Sequence, residues 1–181
     1  MAQASWKKTP KPPLAPAILR MLREVALTLL AALALYLLIT LWSFHAADPG
    51  WSTSGTGAPV HNAGGRVGAW IADVLFMLFG HVAFLFPLLA GVSAWRMFLQ
   101  RKETGARDLR HTALWLGGFV IALLGACGLA SLHFGNGGDG AAFPAGGMLG
   151  NAIGYGLAGP FSYTGATIFL PYTSLGALFG F

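Results

Sequence analysis

The sequence predicts an all-α, polytopic membrane protein with about four transmembrane helices and with both termini in the cytoplasm. Three observations carry that prediction. Of 181 residues, 55% are hydrophobic and 9% charged, and the mean hydropathy is +0.64. A soluble domain of average composition is about a quarter charged, so this chain has too little charge to cover a wet surface. It is also too apolar to remain disordered. Second, apolar runs recur at lengths suited to the roughly 30 Å hydrocarbon core, which takes about 20 helical residues to cross. Third, ten of the eleven Lys and Arg residues fall on one side of those runs. The lone Cys127 excludes an internal disulfide and leaves no cysteine set for a zinc finger.

Residues 1–24 read as a basic, Pro-containing cytoplasmic tail. Met1–Pro16 holds four prolines and three lysines; proline removes backbone donors and fixes φ, so an extended segment is expected there. Residues 25–181 form the transmembrane domain. Its first span, Val25–Phe44, has 20 residues and no charge. A cleaved signal peptide has an apolar stretch of about 7–15 residues and a small-residue cleavage site. This run is longer and ends in Phe44-His45-Ala46-Ala47, which predicts an uncleaved helix.

An outer loop follows over 45–66. Asp48-Pro49-Gly50 suits a type II turn, with Pro presetting φ and Gly tolerating positive φ, and Trp51 then sits where an indole anchors at headgroup level. These four residues, with Asn62 and Gly65, are the candidate outer-loop turn and interaction residues. The second span, 67–95, contains Asp73, His81 and Pro87. Ionisable groups within a bilayer are costly and point either to interhelical hydrogen bonding or to a coupling role. Pro87 is expected to free the carbonyl of Ala83 and kink the helix.

A basic cytoplasmic loop over 96–112 leads to the third span, 113–134, where Gly118, Ala122, Ala126 and Ala130 make a small-residue stripe. After an outer loop at 135–146, a Gly-rich interfacial helix is predicted over 147–157. Gly146, Gly150 and Gly154 repeat the four-residue spacing there, continued by Ala158. Lipid gives helices no hydrophobic reason to associate, so close backbone approach over small residues supplies the packing. The last span is placed at 163–181, with Pro160 and Pro171 interrupting the apolar stretch.

The charges set the orientation. Lys7, Lys8, Lys11, Arg20 and Arg23 precede the first span, and Arg96, Arg101, Lys102, Arg107 and Arg110 lie between the second and third. Arg66 alone falls in an outer loop. The positive-inside rule therefore puts both basic clusters in the cytoplasm. Attraction to anionic headgroups explains them better than nucleic acid does.

No catalytic, cofactor-binding or metal-binding residues are assigned. His45, Asp48 and Ser52 have a triad's composition, but a triad is defined by geometry and an oxyanion site, and neither is indicated. Gly135-Asn136-Gly137-Gly138-Asp139-Gly140 satisfies G-x-G-x-x-G without the strand and helix that a dinucleotide site needs. It reads as a turn. No G-x-x-x-x-G-K-[ST] occurs.

Several segments together resemble the N-terminal four-helix membrane domain of the FtsK/SpoIIIE DNA translocases. They are Arg23-Glu24, Asp48-Pro49-Gly50-Trp51-Ser52, the stretch from Asn62 to Asp73, Leu78-Phe79-Gly80, Ala83 to Pro87, and Gly146 to Gly150. The resemblance runs from about residue 20 to about 170, and Leu170-Pro171-Tyr172-Thr173-Ser174 departs from the smoother apolar run of the family. It implies a multi-pass anchor in the bacterial inner membrane at the division septum, in contact with the lipid bilayer and bacterial division proteins, and with itself as a hexamer. It further implies a linker and a cytoplasmic motor beyond residue 181, binding ATP, magnesium and double-stranded DNA and coupling chromosome segregation to septum formation. On this reading the fragment is an anchoring and interaction domain, without cofactor and not itself an enzyme. A small transporter or channel subunit is the alternative, with His81 as its pathway residue; a membrane adaptor unrelated to DNA is another.

Overall fold

Backbone polar groups left unpaired in hydrocarbon cost several kcal/mol each, so a chain this apolar spans lipid as helices. The computed structural model describes residues 14–55, 57, 59–99, 109–135 and 142–179, and among these there is no β-strand. The helices are α1 (Leu14–Trp42), α2 (Gly65–Phe79), α3 (Leu85–Leu99), α4 (Leu109–Phe134) and α5 (Gly147–Phe179), with a 3-10 turn at Gly80–Phe84. Residues 1–13 of the predicted tail, most of the loop at 96–112, and Asn136–Ala141 of the glycine-rich turn lie outside the described residues.

Helix α1 starts at Leu14, so it takes in the last three residues of the segment predicted to be extended and the rest of the predicted tail to residue 24. Pro16 falls in its first turn, where backbone N–H groups have no intrahelical partner and a missing one costs nothing. The helix ends at Trp42, two residues before the predicted end of the span.

The second apolar run covers 35 residues, Gly65–Leu99. As one helix it would extend about 52 Å at 1.5 Å per residue, far beyond the hydrocarbon thickness. The chain breaks it at Gly80, whose φ of 57° and ψ of −142° leave helical space. A Cβ there would collide with the carbonyl oxygens of Pro144 and Ala145. The predicted kink at Pro87 is therefore corrected: Pro87 sits in the first turn of α3, where its ring is harmless, and the bend lies seven residues earlier. The 3-10 turn and α3 together reach about 32 Å, one span's length. Helix α3 runs antiparallel to α1, and the Arg23 guanidinium near the start of α1 donates to the Met97 carbonyl at 3.2 Å.

Helix α2 instead crosses the far end of α1. The Tyr36 hydroxyl donates to the Gly64 carbonyl at 3.2 Å, Gly68 lies against Thr40, and Phe76 stacks on Phe44 with ring centres 4.7 Å apart. Leu41, Ala72, Phe76 and Ala83 make the core at this junction.

The second half repeats the plan. Helix α5 changes direction at Ser162, which has φ 60° and ψ 168°. Its first arm crosses α4, with Gly146 and Gly150 against the Cys127 carbonyl and Gly154 against that of Gly128. Its second arm turns back along α4, so that Ile153 and Leu170 both lie 3.1 Å from where a Gly128 Cβ would be. Tyr163 anchors the bend by donating to the Leu132 carbonyl at 2.8 Å, beside a core of Leu132, Ala166 and Leu170. The predicted interfacial helix at 147–157 thus continues through Pro160 to the bend, and no irregular linker separates it from the last span.

Crossing arms 65–79 and 147–161 have equal length and begin with the same pattern, Ala63-Gly64-Gly65-x-x-Gly68 and Ala145-Gly146-Gly147-x-x-Gly150. Gly65 and Gly147 share a φ of 67° and 66°, and both arms end at a left-handed residue, Gly80 or Ser162. In each half the first and third glycines of the pattern admit the helix beneath: Thr40 of α1, or Cys127 and Ser131 of α4. The chain is an internal repeat of two rising–crossing–descending units. They meet where His81 donates its backbone N–H to the Ala145 carbonyl at 2.9 Å and Phe44 faces Phe143 at 6.0 Å. The loops at 43–64 and 142–146 consequently share one face, and Arg23 and Met97 mark the other. Val25, Leu29 and Leu33 of α1 stay exposed, an apolar face suited to lipid.

Candidate functional site

Helix α1 ends with carbonyls that no later turn of helix can pair. The loop that follows supplies the donors. The Asn62 side-chain amide donates to the Thr40 carbonyl at 2.8 Å and more weakly to that of Ser43 at 3.3 Å, while its oxygen accepts the Gly64 N–H at 2.8 Å. Ser43 completes the join: its hydroxyl donates to Ile39 at 2.7 Å and accepts the Ala63 N–H at 2.9 Å.

Asp48 closes the loop from the other side. Its carboxylate accepts the backbone N–H groups of His61 and Asn62, each at 2.8 Å, and meets the His61 ring Nδ1 at 3.1 Å. Burial pulls this carboxyl upward. The hydrogen bonds from His61 and Asn62, with the charge of His61, outweigh burial and hold it below its ordinary 3.8. A third polar contact joins the loop to α2: Asp73 accepts the Ser52 N–H at 2.6 Å and the Ser52 hydroxyl at 2.7 Å. Asp48, Asn62 and Asp73 are only 6%, 4% and 5% exposed, as polar groups with full sets of partners can be.

This lock revises the predicted turn. Gly50 is not among the described residues with positive φ, so Asp48-Pro49-Gly50 does not make a type II turn. Gly50 instead donates to the Thr53 carbonyl at 2.9 Å, and the Thr53 hydroxyl donates back to the Asp48 carbonyl at 3.1 Å. Glycine is required there because a Cβ would fall 2.6 Å from the Asp73 carboxylate. Pro49 packs against Gly55. Gly65 takes its left-handed φ at the first residue of α2.

The lock sets two indoles on the surface. Trp51 is 66% and Trp70 47% exposed, and they meet edge to face with centres 6.1 Å apart. Arg66 and Val67 lie beside Trp70 in a shallow surface depression. The arrangement can dock a partner or a headgroup: aromatic area next to one cation, where the locked loop meets the start of α2.

The remaining predicted residues take other places. His81 is exposed at the 3-10 turn, edge-on to Phe76, in a cleft of about 360 Å³ between the halves. It does not lie inside a continuous span. Asp73 is tied to the outer loop through Ser52. The seam on α4 is Leu123, Cys127, Ser131 and Leu132, all buried, with Gly128. Gly118 is buried, while Ala122, Ala126 and Ala130 flank that seam half-buried. Sequence reasoning missed Tyr36, Thr40, Ser43 and His61, and weighed Ser52 only as part of a triad composition. The first three were detectable as polar residues recurring on one face of an uncharged span.

Over residues 19–180 the chain matches the family described as the 4TM region of DNA translocase FtsK/SpoIIIE. A DNA translocase FtsK of Pseudomonas syringae pv. syringae is 43% identical over 136 residues, covering 74% of this chain and 17% of that protein. One from Shewanella oneidensis is 36% identical over 152 residues, 84% of this chain and 16% of its own. One from Vibrio vulnificus is 39% identical over 132 residues, 73% and 13% respectively. The chain thus spans less than a fifth of the length of these relatives. No solved structure matches it significantly.

Proposed function

Since this chain belongs to the family of 4TM regions of the DNA translocases FtsK/SpoIIIE, we propose that it anchors such a translocase in the bacterial inner membrane and docks it to division proteins at the septum. The loop lock carries this reading. Three nearly buried polar side chains hold the outer loop, more order than a plain connection between spans requires, and the order serves to display Trp51, Trp70 and Arg66.

The work of the domain is positional. Confining a motor to the membrane plane at the septum raises its effective concentration where chromosomes must clear. ATP, magnesium and double-stranded DNA belong to a motor connected to this domain on the cytoplasmic side, and hexamer formation by that motor would gather six copies of the domain. On this reading the domain anchors and docks, and the chemistry falls to the motor.

The test is a fluorescent fusion of the full-length protein in cells depleted of their own copy. Trp51→Ala with Trp70→Ala should leave the protein in the membrane fraction while septal fluorescence and division fall. Undiminished septal recruitment and division in that double variant would refute docking through this face.

A further inference from the structure

The polar lock contains an arrangement that loop closure does not account for. His45 and His61 stack with ring centres 4.7 Å apart and planes 28° from parallel. The two rings are 16 positions apart in sequence, both side chains are exposed, and the carboxylate of the buried Asp48 lies beside them. One possible ligand atom from each of the three lies within 4.8 Å of the others. We propose that His45, Asp48 and His61 form a binding site for a divalent metal ion of the zinc class on the loop-bearing face.

The donor set selects the ion. Two imidazole nitrogens and one carboxylate oxygen suit zinc and its borderline neighbours. Calcium takes six to eight oxygen ligands and magnesium a near-octahedral oxygen shell, which three side chains of this kind do not provide. Zinc holds nitrogen and oxygen ligands at about 2.0–2.2 Å, so two ligands of a tetrahedron stand about 3.3 Å apart. His61 Nδ1 and Asp48 Oδ1 are already 3.1 Å apart. An ion between them replaces their hydrogen bond, and the neutral imidazole then carries its proton on Nε2. The exposed His45 ring stacks on His61 and accepts a long 3.3 Å hydrogen bond from the Ala47 N–H at Nδ1, so it can turn toward the ion at small cost. Water fills the fourth position, as at three-ligand zinc sites.

Outer contacts also favour this reading. Metal-binding carboxylates work best when oriented by further hydrogen bonds, and Asp48 is oriented by the backbone N–H groups of His61 and Asn62 at 2.8 Å. The exposure of both imidazoles gives the ion access from solvent. Bound there, it would cross-link the exit of α1 to the approach to α2 and stiffen the loop that carries Trp51. The site stands on its own geometry and does not depend on the docking role.

The experiment uses the protein in detergent, with any polyhistidine tag removed, stripped by chelator and titrated with cobalt(II). One equivalent should bind, with the intense visible absorption of four-coordinate cobalt, and zinc should displace it. His45→Gln should weaken cobalt binding by about 100-fold or more, beyond the range seen for second-shell partners, without changing the unfolding temperature of the metal-free protein. His133→Gln, on an exposed histidine elsewhere, should bind as the parent does. A parent protein showing only the weak spectrum of hydrated cobalt, or unchanged affinity in His45→Gln, would overturn the proposal.

Discussion

Replacing Asn62 by Ala removes the side chain that joins the end of α1 to the start of α2. Two short hydrogen bonds are lost, to the Thr40 carbonyl and from the Gly64 N–H, each at 2.8 Å, together with the longer one to Ser43. The side chain is 4% exposed, so water does not readily replace it. Leaving a buried donor or acceptor without a partner costs about 1–3 kcal/mol, and two such groups give a loss of roughly 2–6 kcal/mol. For a chain of this size that corresponds to a fall of roughly 4–24 °C in unfolding temperature. Two assays apply: thermal unfolding in detergent, and hydrogen exchange at the backbone amides of His61 to Gly65. Exchange there should accelerate, while amides in the middle of α4 keep their protection because the hydrogen bonds of the lock run between α1, the loop and α2. An unfolding temperature within about 2 °C of the parent, with the loop amides still protected, would refute the view that this side chain holds the loop.

Other substitutions separate tight positions from open ones. Gly150→Ala places a methyl against the Cys127 carbonyl, a backbone group that cannot step aside, and should lower stability by about 1–3 kcal/mol in denaturant titration. Gly156→Ala meets nothing within 4 Å and should be neutral or stabilising by up to about 1 kcal/mol. Gly65→Ala forces a side chain into a φ of 67° and should cost about 1–3 kcal/mol, although space around it is open. Asp73→Ala should free the segment around Ser52, seen as faster proteolytic nicking between residues 51 and 58, while the contacts of Asn62 keep amide protection at Gly64.

Much of the architecture was legible because the bilayer imposes it. Low charge and apolar runs identify an all-helical membrane chain before any contact is known, and α1 and α4 follow from run length alone. The second run was read as a single span although its length exceeds the hydrocarbon core. Proline looked like the natural place to bend it. Whether a proline bends a helix depends on its distance from the helix start, and at Pro87 that start is created by Gly80. Gly80 bends because Pro144 and Ala145 press on it from the other half of the molecule, a contact no local pattern announces.

The glycines tell a similar story. Gly146, Gly150 and Gly154 were read as a packing stripe, and they do face a neighbouring helix; the matching pattern at Ala63 to Gly68 was present in the sequence but not connected with it. In the outer loop, Asp48, Gly50, Asn62 and Asp73 drew notice individually. Their pairing spans 14 residues from Asp48 to Asn62 and 21 from Ser52 to Asp73, so only the folded chain shows one lock. His61 escaped notice because its meaning comes from Asp48 and His45, neither of which is its neighbour in sequence.

The account rests on the loop lock facing away from the cytoplasm while the basic ends of α1 and α3 face into it. Alkaline phosphatase is active only when exported, so fusions after residue 55 and after residue 104 report the two faces directly. The account predicts high activity at 55 and none at 104. Activity at 104 with none at 55 would contradict it.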